Sequence, residues 1–373
     1  MIHDFLVIGG GISGASVAYE LAESSKVLVL EAETSLGYHS TGRSAALFTR
    51  NYGGPVVRQI NIASASFFGS PPDGFCDTPL LTRRGALTVA DAESFAVTED
   101  LLAMSEPGEE VVEITAEEAV ARAPYLRPDR IARAVLEENV SDIDVAGLHQ
   151  RYIKAIKQRG GTIMTGAAVK DLRWQDGAWE VSTKGQTYRA KTLVNAAGAW
   201  ADDVAVMAGI DKIGLVPMRR TAIIIDAPEG LDLSATPAVD FAASGAYIKP
   251  EAGKLMASPG DATPTTPQDV RPEELDIAHL AHLIETETLI PVRRVSHSWA
   301  GLRSFVADEA PVVGFAPSTP NFFWLAAQGG YGIMMAPALA RFAADLLMQR
   351  PPGDVGFDTE AISPTRQSLS GRS

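Results

Sequence analysis

Three glycines and one glutamate near the start of the chain have the types and spacing of a dinucleotide-binding site. Gly9, Gly11 and Gly14 form the pattern G-x-G-x-x-G, and Glu31 follows Gly14 by 17 residues. In such a pattern the first glycine allows a sharp turn, the second lets a pyrophosphate approach the backbone, and the third brings a helix close to the sheet. A carboxylate at this distance accepts hydrogen bonds from a ribose. These four residues predict a dinucleotide site.

The flanking sequence supplies the elements that must position these residues. Apolar segments 5–8 and 26–30 are typical of strands, and the segment between them is typical of a helix that begins in the glycine turn. The amides and the dipole at the start of that helix would hold the phosphate charge. A glycine-rich turn in an unrelated unit would not explain the acid at the end of the second strand.

The length and composition of the chain exclude several classes of protein. A chain of 373 residues is too long for one core, so two domains are expected. Its net charge of −14 argues against nucleic-acid binding, and its single cysteine excludes an internal disulfide. No apolar run approaches the ~18 residues of a membrane span, and no leader resembles a signal peptide. We therefore expect a cytoplasmic protein, with peripheral membrane association left open.

Residues 37–46 favour FAD over NAD. They combine glycines, small hydroxyl side chains and one guanidinium just after the predicted ribose-binding acid. A loop of this kind can run beside a pyrophosphate and along one edge of a flavin, whereas an NAD domain usually proceeds directly to its next helix.

Later segments predict further elements of the nucleotide sheet. We expect a helix over 145–158 with Asp144 as its N-cap, a strand over 162–164, a hairpin over 169–181 and a strand that begins at Thr192. Near the C-terminus we expect a strand over 322–327, a glycine turn and a helix over 333–348. The positive end of that helix would stabilise a reduced, anionic flavin. An ordinary strand-to-helix turn explains this last element equally well.

Taken together, the chain resembles the D-amino-acid oxidase superfamily of FAD-dependent amine and amino-acid oxidoreductases over residues 5–363. The glycine fingerprint is common to many flavoproteins. Four later segments are more specific and are most similar to the D-arginine dehydrogenase branch, namely 37–46, 195–200, 299–305 and 326–332. The resemblance implies oxidation of D-amino acids to imino acids, which hydrolyse to 2-oxo acids and ammonia.

The resemblance also implies a fold and a domain division. The fold would be α/β, or α+β overall, with a Rossmann-like FAD-binding domain interleaved with a mostly antiparallel substrate domain. The FAD-binding domain would comprise 1–85, 143–216 and 310–373, and the substrate domain 86–142 and 217–309. The sequence supports the second domain independently, because 219–226, 246–250 and 254–258 are typical of strands and 272–289 is typical of a helix.

Two sets of site residues follow from the resemblance. The substrate set would use Arg303 and Tyr247 to bind a carboxylate, Arg220 as a second arginine, Tyr52 as a mobile tyrosine, and Gly330. FAD would be bound non-covalently by Gly9, Gly11, Ser13, Gly14, Glu31, Ser40, Thr41, Arg43, Ser44, Ala45, Val169, Ala197, Gly198, Gly329, Gly330, Tyr331, Gly332 and Ile333. No metal site is expected, since the few histidines lack a ligand cluster.

Two departures from the branch affect the expected substrate. Gly85 stands where the D-arginine enzyme has a glutamate that recognises the substrate guanidinium, and Leu47 replaces a histidine near its flavin. An unpaired cation would be costly to bury, so we expect neutral or apolar D-amino acids. Arg83 or Arg84 could instead turn inward and favour an acidic side chain.

Three questions stay open at this level. A 2-hydroxy acid or an N-methyl amine of the sarcosine or glycine type is an alternative substrate. A flavin-binding accessory subunit is an alternative of another class. The electron acceptor could be a quinone, a carrier protein or oxygen.

Overall fold

The computed structural model describes residues 1–105, 109–317 and 319–369. Its strands are β1 (Ile2–Ile8), β2 (Val27–Leu30), β3 (Leu47–Phe48), β4 (Leu81–Arg83), β5 (Ala86–Ala90), β6 (Val111–Ile114), β7 (Arg133–Glu137), β8 (Ser141–Ile143), β9 (Thr162–Met164), β10 (Val169–Gln175), β11 (Ala178–Thr183), β12 (Thr187–Asn195), β13 (Val216–Ile225), β14 (Ala238–Phe241), β15 (Ala246–Glu251), β16 (Lys254–Ser258), β17 (Thr263–Pro264), β18 (Val295–Phe305), β19 (Val312–Ala316) and β20 (Thr319–Ala326). Its α-helices are α1 (Ile12–Leu21), α2 (Pro55–Gly69), α3 (Phe95–Leu102), α4 (Ala116–Arg122), α5 (Val145–Gln158), α6 (Ala201–Met207), α7 (Glu274–Glu287) and α8 (Gly332–Leu347). Within these ranges, no helix is both long and apolar enough to cross a membrane.

The first sheet has eight strands and carries the glycine turn. Its main path is β10-β11-β12-β1-β2-β9, with β20 also on β12 and β19 on β20. Strand β1 runs parallel to both β2 and β12, and Val7 is paired with Val29 and Val194. Helices α1, α2, α5 and α8 pack against one face of this sheet around a core that includes Val7, Leu148 and Met335. The carboxyl ends of β1, β2 and β12 therefore meet at one edge.

The predicted elements of this sheet are largely confirmed. Helix α5 has the expected bounds, and the Asp144 carboxylate accepts the Gly147 N–H at 2.8 Å as its cap. The hairpin is formed by β10 and β11. Strand β12 is longer than expected, because its first residues pair with β11 before the chain enters the parallel part of the sheet.

The second sheet is almost wholly antiparallel, and the overall fold is mixed α/β as expected. Nine strands take the order β17-β13-β16-β15-β14-β5-β7-β6 with β18 on β13, and only β14 and β5 run parallel. One face is apolar and is covered by α7, through residues such as Ile223, Phe241 and Leu280. Because side chains alternate along a strand, the intervening residues point to the opposite face, where the site lies. A third, small sheet has the order β3-β8-β4.

The domain division stays a prediction. The strands of the first sheet come from three stretches, 2–30, 162–195 and 312–326. Those of the second sheet come from 86–137 and 216–305, which lie between these stretches. This interleaving is what the proposed boundaries require.

Candidate active site

Backbone contacts at the glycine turn leave no room for side chains. Gly9 has φ +105°, and a Cβ there would lie 2.4 Å from the Ala196 carbonyl oxygen. A Cβ on Gly14 would lie 1.9 Å from the Gly9 carbonyl oxygen, which explains the close approach of α1 to β1. At Gly11 the nearest atom to such a Cβ is Thr41 Oγ1, at 3.2 Å. The turn is therefore a cradle that a Cβ would fill, as pyrophosphate binding requires.

Glu31 is fixed at the end of β2 by backbone donors. Its Oε2 accepts the Gly10 N–H at 2.8 Å, and its Oε1 accepts the Glu33 N–H at 2.9 Å. The buried ring of His149 contacts the other side of the turn, with Nε2 2.9 Å from the Gly10 carbonyl oxygen. Burial lowers the pKa of His149, so a neutral ring donates this hydrogen bond. Sequence analysis missed His149, which lies on α5 far along the chain.

The loop after Glu31 connects the two sheets. Thr41 Oγ1 accepts the Ile12 N–H at 3.0 Å at the start of α1, and Ser40 Oγ donates to the Leu302 carbonyl oxygen at 2.7 Å. The Arg43 guanidinium donates to the carbonyl oxygens of Val270 and Ala300 at 3.1 and 3.0 Å, and pairs with Asp269. Arg43 thus holds the loop against the second sheet.

One cavity of about 560 Å³ runs between the sheets from the ribose-binding acid to the start of α8. Gly14 and Tyr331 do not line it. The predicted cofactor residues that do are Gly9, Gly11, Ser13, Glu31, Ser40, Thr41, Arg43, Ser44, Ala45, Val169, Ala197, Gly198, Gly329, Gly330, Gly332 and Ile333. The cradle, the fixed acid and the long cavity fit a bound FAD.

The cavity continues onto the second sheet, where three of the predicted substrate residues line it. Across β13 and β18, Met218 is opposite Arg303 and Arg220 is opposite Gly301, so the two arginines share one face. Tyr247, on β15, lines the same cavity. Burial, together with the neighbouring Arg303, lowers the pKa of Arg220. Two guanidinium groups therefore lie close together in a concave site.

Arg219 and Arg220 are adjacent in β13, but only Arg220 lines the cavity. Its side chain points to the other face of β13 and forms ion pairs with Glu273 and Asp276. Arg220 donates through Nε to the Asp261 carbonyl oxygen, which orients its guanidinium. Alternation along one strand thus gives the two adjacent arginines different functions.

Arg303 is held between a loop and the turn before α8. Its Nη1 donates to the Tyr52 hydroxyl at 3.1 Å, and a Cβ on Gly330 would lie 2.9 Å from Arg303 Cζ. The ring of Tyr52 contacts that of Tyr331 edge-on, with centroids 5.0 Å apart. Burial raises the pKa of Tyr331 to about 12, so the Tyr331 hydroxyl is neutral near pH 7. Tyr52 does not line the cavity itself and is 42% exposed.

The two departures on which the expected side-chain preference rested do not face this cavity. Leu47 is half-buried in β3 opposite Asp142, and Phe48 packs on Phe68. Gly85 has φ +74° and forms a turn between β4 and β5. None of the three lines the cavity, and Leu47 and Phe48 belong to the third sheet instead.

Arg83 and Arg84, which precede Gly85, also bind other groups of the protein. Arg83 donates to the Glu138 carbonyl oxygen and to Asn139, and Arg84 forms an ion pair with Asp142 at 2.7 Å. Neither side chain is available to bind an acidic substrate group. In the described parts of the chain, no group of three or more histidine, cysteine, aspartate or glutamate residues could hold a metal ion.

Comparison with known proteins identifies the family. The family model described as "FAD dependent oxidoreductase" (DAO) matches residues 4–346. The chain belongs to this family of FAD-dependent oxidoreductases, and its cofactor is FAD. The D-arginine dehydrogenase branch is not singled out by these comparisons.

Individual relatives are distant but match most of the chain. A glycine oxidase from Geobacillus kaustophilus is 24% identical over 98% of this chain and 97% of its own length. Mitochondrial dimethylglycine dehydrogenase from Mus musculus is 25% identical over 97% of this chain, which spans only 44% of that longer protein.

Solved structures share the fold. The crystal structure of glycine oxidase from Geobacillus kaustophilus has a TM-score of 0.83 at 22% identity, over 98% of this chain and 99% of that one. The FAD-bound L-alpha-glycerophosphate oxidase from Mycoplasma pneumoniae also has a TM-score of 0.83, at 20% identity, over 96% and 98% of the two chains.

Proposed function

We propose that this chain oxidises the C–N bond of a small amine that carries a carboxylate, with FAD as the electron acceptor in the first half-reaction. The observation that carries the proposal is the pair Arg220 and Arg303 on one wall of the cavity. Among the described residues, no carboxylate lies within hydrogen-bonding distance of either guanidinium. Arg303 pairs with no carboxylate there, and the nearest carboxylate to Arg220 is that of Asp261, 3.9 Å from its Nε. Two half-buried cations that share one distant anion fit a substrate carboxylate, which guanidinium groups bind as a fork.

The substrate amine would be oriented by its carboxylate. Arg303, Arg220 and the Tyr247 hydroxyl would hold the carboxylate at the second sheet, and the Gly330 backbone lies close enough to Arg303 to exclude water from that side. When bound, FAD supplies the hydride acceptor for oxidation of the carbon next to the amine. Binding of the neutral amine leaves its lone pair available to assist that oxidation, so no side-chain base is required at the C–H bond.

Relatives favour glycine or an N-methyl amine as the substrate. A glycine oxidase and a dimethylglycine dehydrogenase are among the similar proteins over nearly the full chain, which supports this alternative better than oxidation of D-amino acids. D-Amino acids stay a second candidate, because the same two arginines would bind their carboxylate. The two arginines would also bind the carboxylate of a 2-hydroxy acid. A flavin-binding accessory subunit would not require a carboxylate-binding site.

Anaerobic reduction of the bound flavin tests the proposal. The panel consists of glycine, sarcosine, dimethylglycine, D- and L-alanine, lactate and glycerol 3-phosphate, each followed by loss of the flavin absorbance. We expect amines with a carboxylate to reduce the flavin and the last two compounds to fail. Reduction by lactate or glycerol 3-phosphate alone would refute the amine assignment, and reduction by none would favour the accessory subunit. Oxygen, a quinone analogue and a carrier protein can then be compared as reoxidants.

A further inference from the structure

Two carboxylates face the substrate side of the second sheet. Asp240 is paired with Tyr247 across β14 and β15, so both side chains point to the same face. Glu137 is paired with Ala86, and Ala86 with Ala238, which places Glu137 on that face as well. Directly opposite side chains in such pairs have Cβ atoms about 4.5–5.5 Å apart. Asp240 is therefore an immediate neighbour of a predicted substrate residue.

Neither carboxylate has a cationic partner within the described residues. Asp240 is half-buried, and its carboxylate has neither a hydrogen bond nor an ion pair there. Lys249, two residues after Tyr247, pairs with Asp142 instead. Glu137 accepts a hydrogen bond from Asn51 Nδ2 at 2.6 Å and forms no ion pair. Half-buried carboxylates without a counter-ion are costly, and proteins normally pair them or use them at a functional site.

The loop that holds Arg303 also reaches Glu137. Asn51 donates to Glu137, and the next residue, Tyr52, accepts from Arg303. The loop therefore contacts both Arg303 and Glu137, which lie on the same face of the second sheet. Glu137 also lines a cavity of about 260 Å³ beside Asn51, where the only cation, Arg50, is already paired with Glu109 among the described residues. Glu137 therefore has no cationic partner among the described residues that line this cavity.

The protonation of Asp240 is consistent with this arrangement. Burial, together with the nearby Glu137 carboxylate, raises the pKa of Asp240 to about 7. Burial also raises the pKa of Glu137. A cation bound between the two carboxylates would favour their ionised forms and supply the missing partner.

We propose that Asp240, supported by Glu137, recognises a second, cationic group of the substrate, distal to the carboxylate that Arg220 and Arg303 bind. The substrate class is then a carboxylate-bearing amine with a basic side chain or a basic N-substituent. This inference rests on the proposed function. It replaces the apolar side chain that Gly85 and Leu47 suggested. None of these three residues lines the cavity, but Asp240 is paired across β14 and β15 with Tyr247, which does.

Isosteric substrate pairs test the proposal on the holoenzyme. D-Ornithine and D-norleucine differ by an ammonium in place of a methyl group, as do N-(3-aminopropyl)glycine and N-butylglycine. We expect the cationic member of the productive pair to have a kcat/KM at least about tenfold higher. Asp240→Asn, which preserves the shape of the side chain, should abolish this preference while leaving kcat/KM for the neutral member within about twofold. Asp211→Asn, on an exposed position, is the matched control and should retain the preference.

Binding without turnover separates this inference from the proposed function. Titration of the oxidised flavin spectrum with 6-aminohexanoate and heptanoate compares the same pair of end groups in compounds that lack an α-amine. Tighter binding of 6-aminohexanoate that is lost in Asp240→Asn would support the acidic subsite even if no amine reduced the flavin. Equal or tighter binding of heptanoate to the wild-type protein, or an equal kcat/KM for both members of a productive pair, would overturn it. Turnover of glycine or an N-methyl amine without a preference for cationic substrates would refute the acidic subsite and leave the proposed function intact.

Discussion

The guanidinium of Arg303 donates to the hydroxyl of Tyr52 across 3.1 Å, although 251 residues separate them in sequence. This contact joins the second sheet to the loop between β3 and α2. It orients the group that would bind the substrate carboxylate, and its partner Tyr52 is exposed. The contact therefore links substrate binding to the position of that loop.

Replacement of Arg303 should remove carboxylate binding while leaving FAD bound. In Arg303→Ala the fork that holds the carboxylate is lost, so we expect KM for the best amine substrate to rise at least about 100-fold. Flavin content, read from the visible spectrum of the purified protein, should stay unchanged. Arg293→Ala, at an exposed arginine, is the control. A normal KM in Arg303→Ala would mean that another cation binds the carboxylate.

Removal of the Tyr52 hydroxyl should have a smaller effect. Tyr52→Phe keeps the ring contact with Tyr331 and deletes only the acceptor for Arg303. A hydrogen bond to a charged group contributes about 1.5–3 kcal/mol, so an increase of about tenfold or more in KM is expected, with kcat less affected. Steady-state kinetics with the same substrate would measure both. A change confined to kcat would indicate a role in loop movement instead.

The glycine turn should not tolerate a methyl group at position 14. A Cβ there would lie 1.9 Å from the Gly9 carbonyl oxygen, so α1 would have to move away from β1. We expect Gly14→Ala to purify without bound FAD, or to lose it on dilution. Gly69→Ala is the matched control, because no atom lies within 4 Å of a Cβ at that helical position. Retention of FAD by Gly14→Ala would show that the helix can shift without damage to the cradle.

FAD should be released intact by acid or heat. His39, the histidine in the loop along the cavity, has its Nε2 3.0 Å from Glu33 Oε1, and its ring contacts that of Trp200 at a tilt of 49° with centroids 4.6 Å apart. These contacts fix the position of the His39 ring. Non-covalent binding of FAD stays our prediction. After acid precipitation the supernatant should contain all of the flavin. Flavin that remained in the protein pellet and fluoresced there would indicate a covalent bond.

Because of Asp240, the free energy of unfolding should decrease as the pH rises from about 4 to about 7. Its pKa is about 7 in the folded protein and near 3.8 in an unfolded chain, so the folded state binds the proton more tightly. The charged form therefore destabilises the fold above pH 7, by up to about 4 kcal/mol for three pKa units, and this cost disappears below pH 4. Glu137 and Tyr125 interact with it electrostatically, and Tyr247 is its cross-strand neighbour.

Thermal unfolding of the Asp240→Asn variant measures this effect. We expect its Tm to exceed that of the wild-type protein at pH 8 and to approach it at pH 5, since the amide carries no charge at either pH. Glu137→Gln should show the same trend with a smaller amplitude. An Asp240→Asn variant with a lower Tm at both pH values would mean that the carboxylate has a stabilising partner.

The sequence by itself determined the nucleotide half of this protein. Gly9, Gly14 and Glu31 belong to one continuous strand-helix-strand unit. Contacts within that unit dictate Gly14 and Glu31, and the positive φ of the turn favours glycine at position 9. Local patterns of this kind can be read without a structure, because turn geometry and strand alternation act over a few residues. The same reasoning predicted α5 and its Asp144 cap correctly.

Only the tertiary structure decided how the substrate end is composed. Arg220, Arg303 and Tyr247 meet because the register of β13, β15 and β18 turns them to one face, and the same register brings Asp240 beside Tyr247. A shift of one residue in any of these strands would send its side chain to the opposite, apolar face. That choice depends on pairing between strands far apart in the chain, which is why the position of Asp240 beside Tyr247 was not predicted from the sequence.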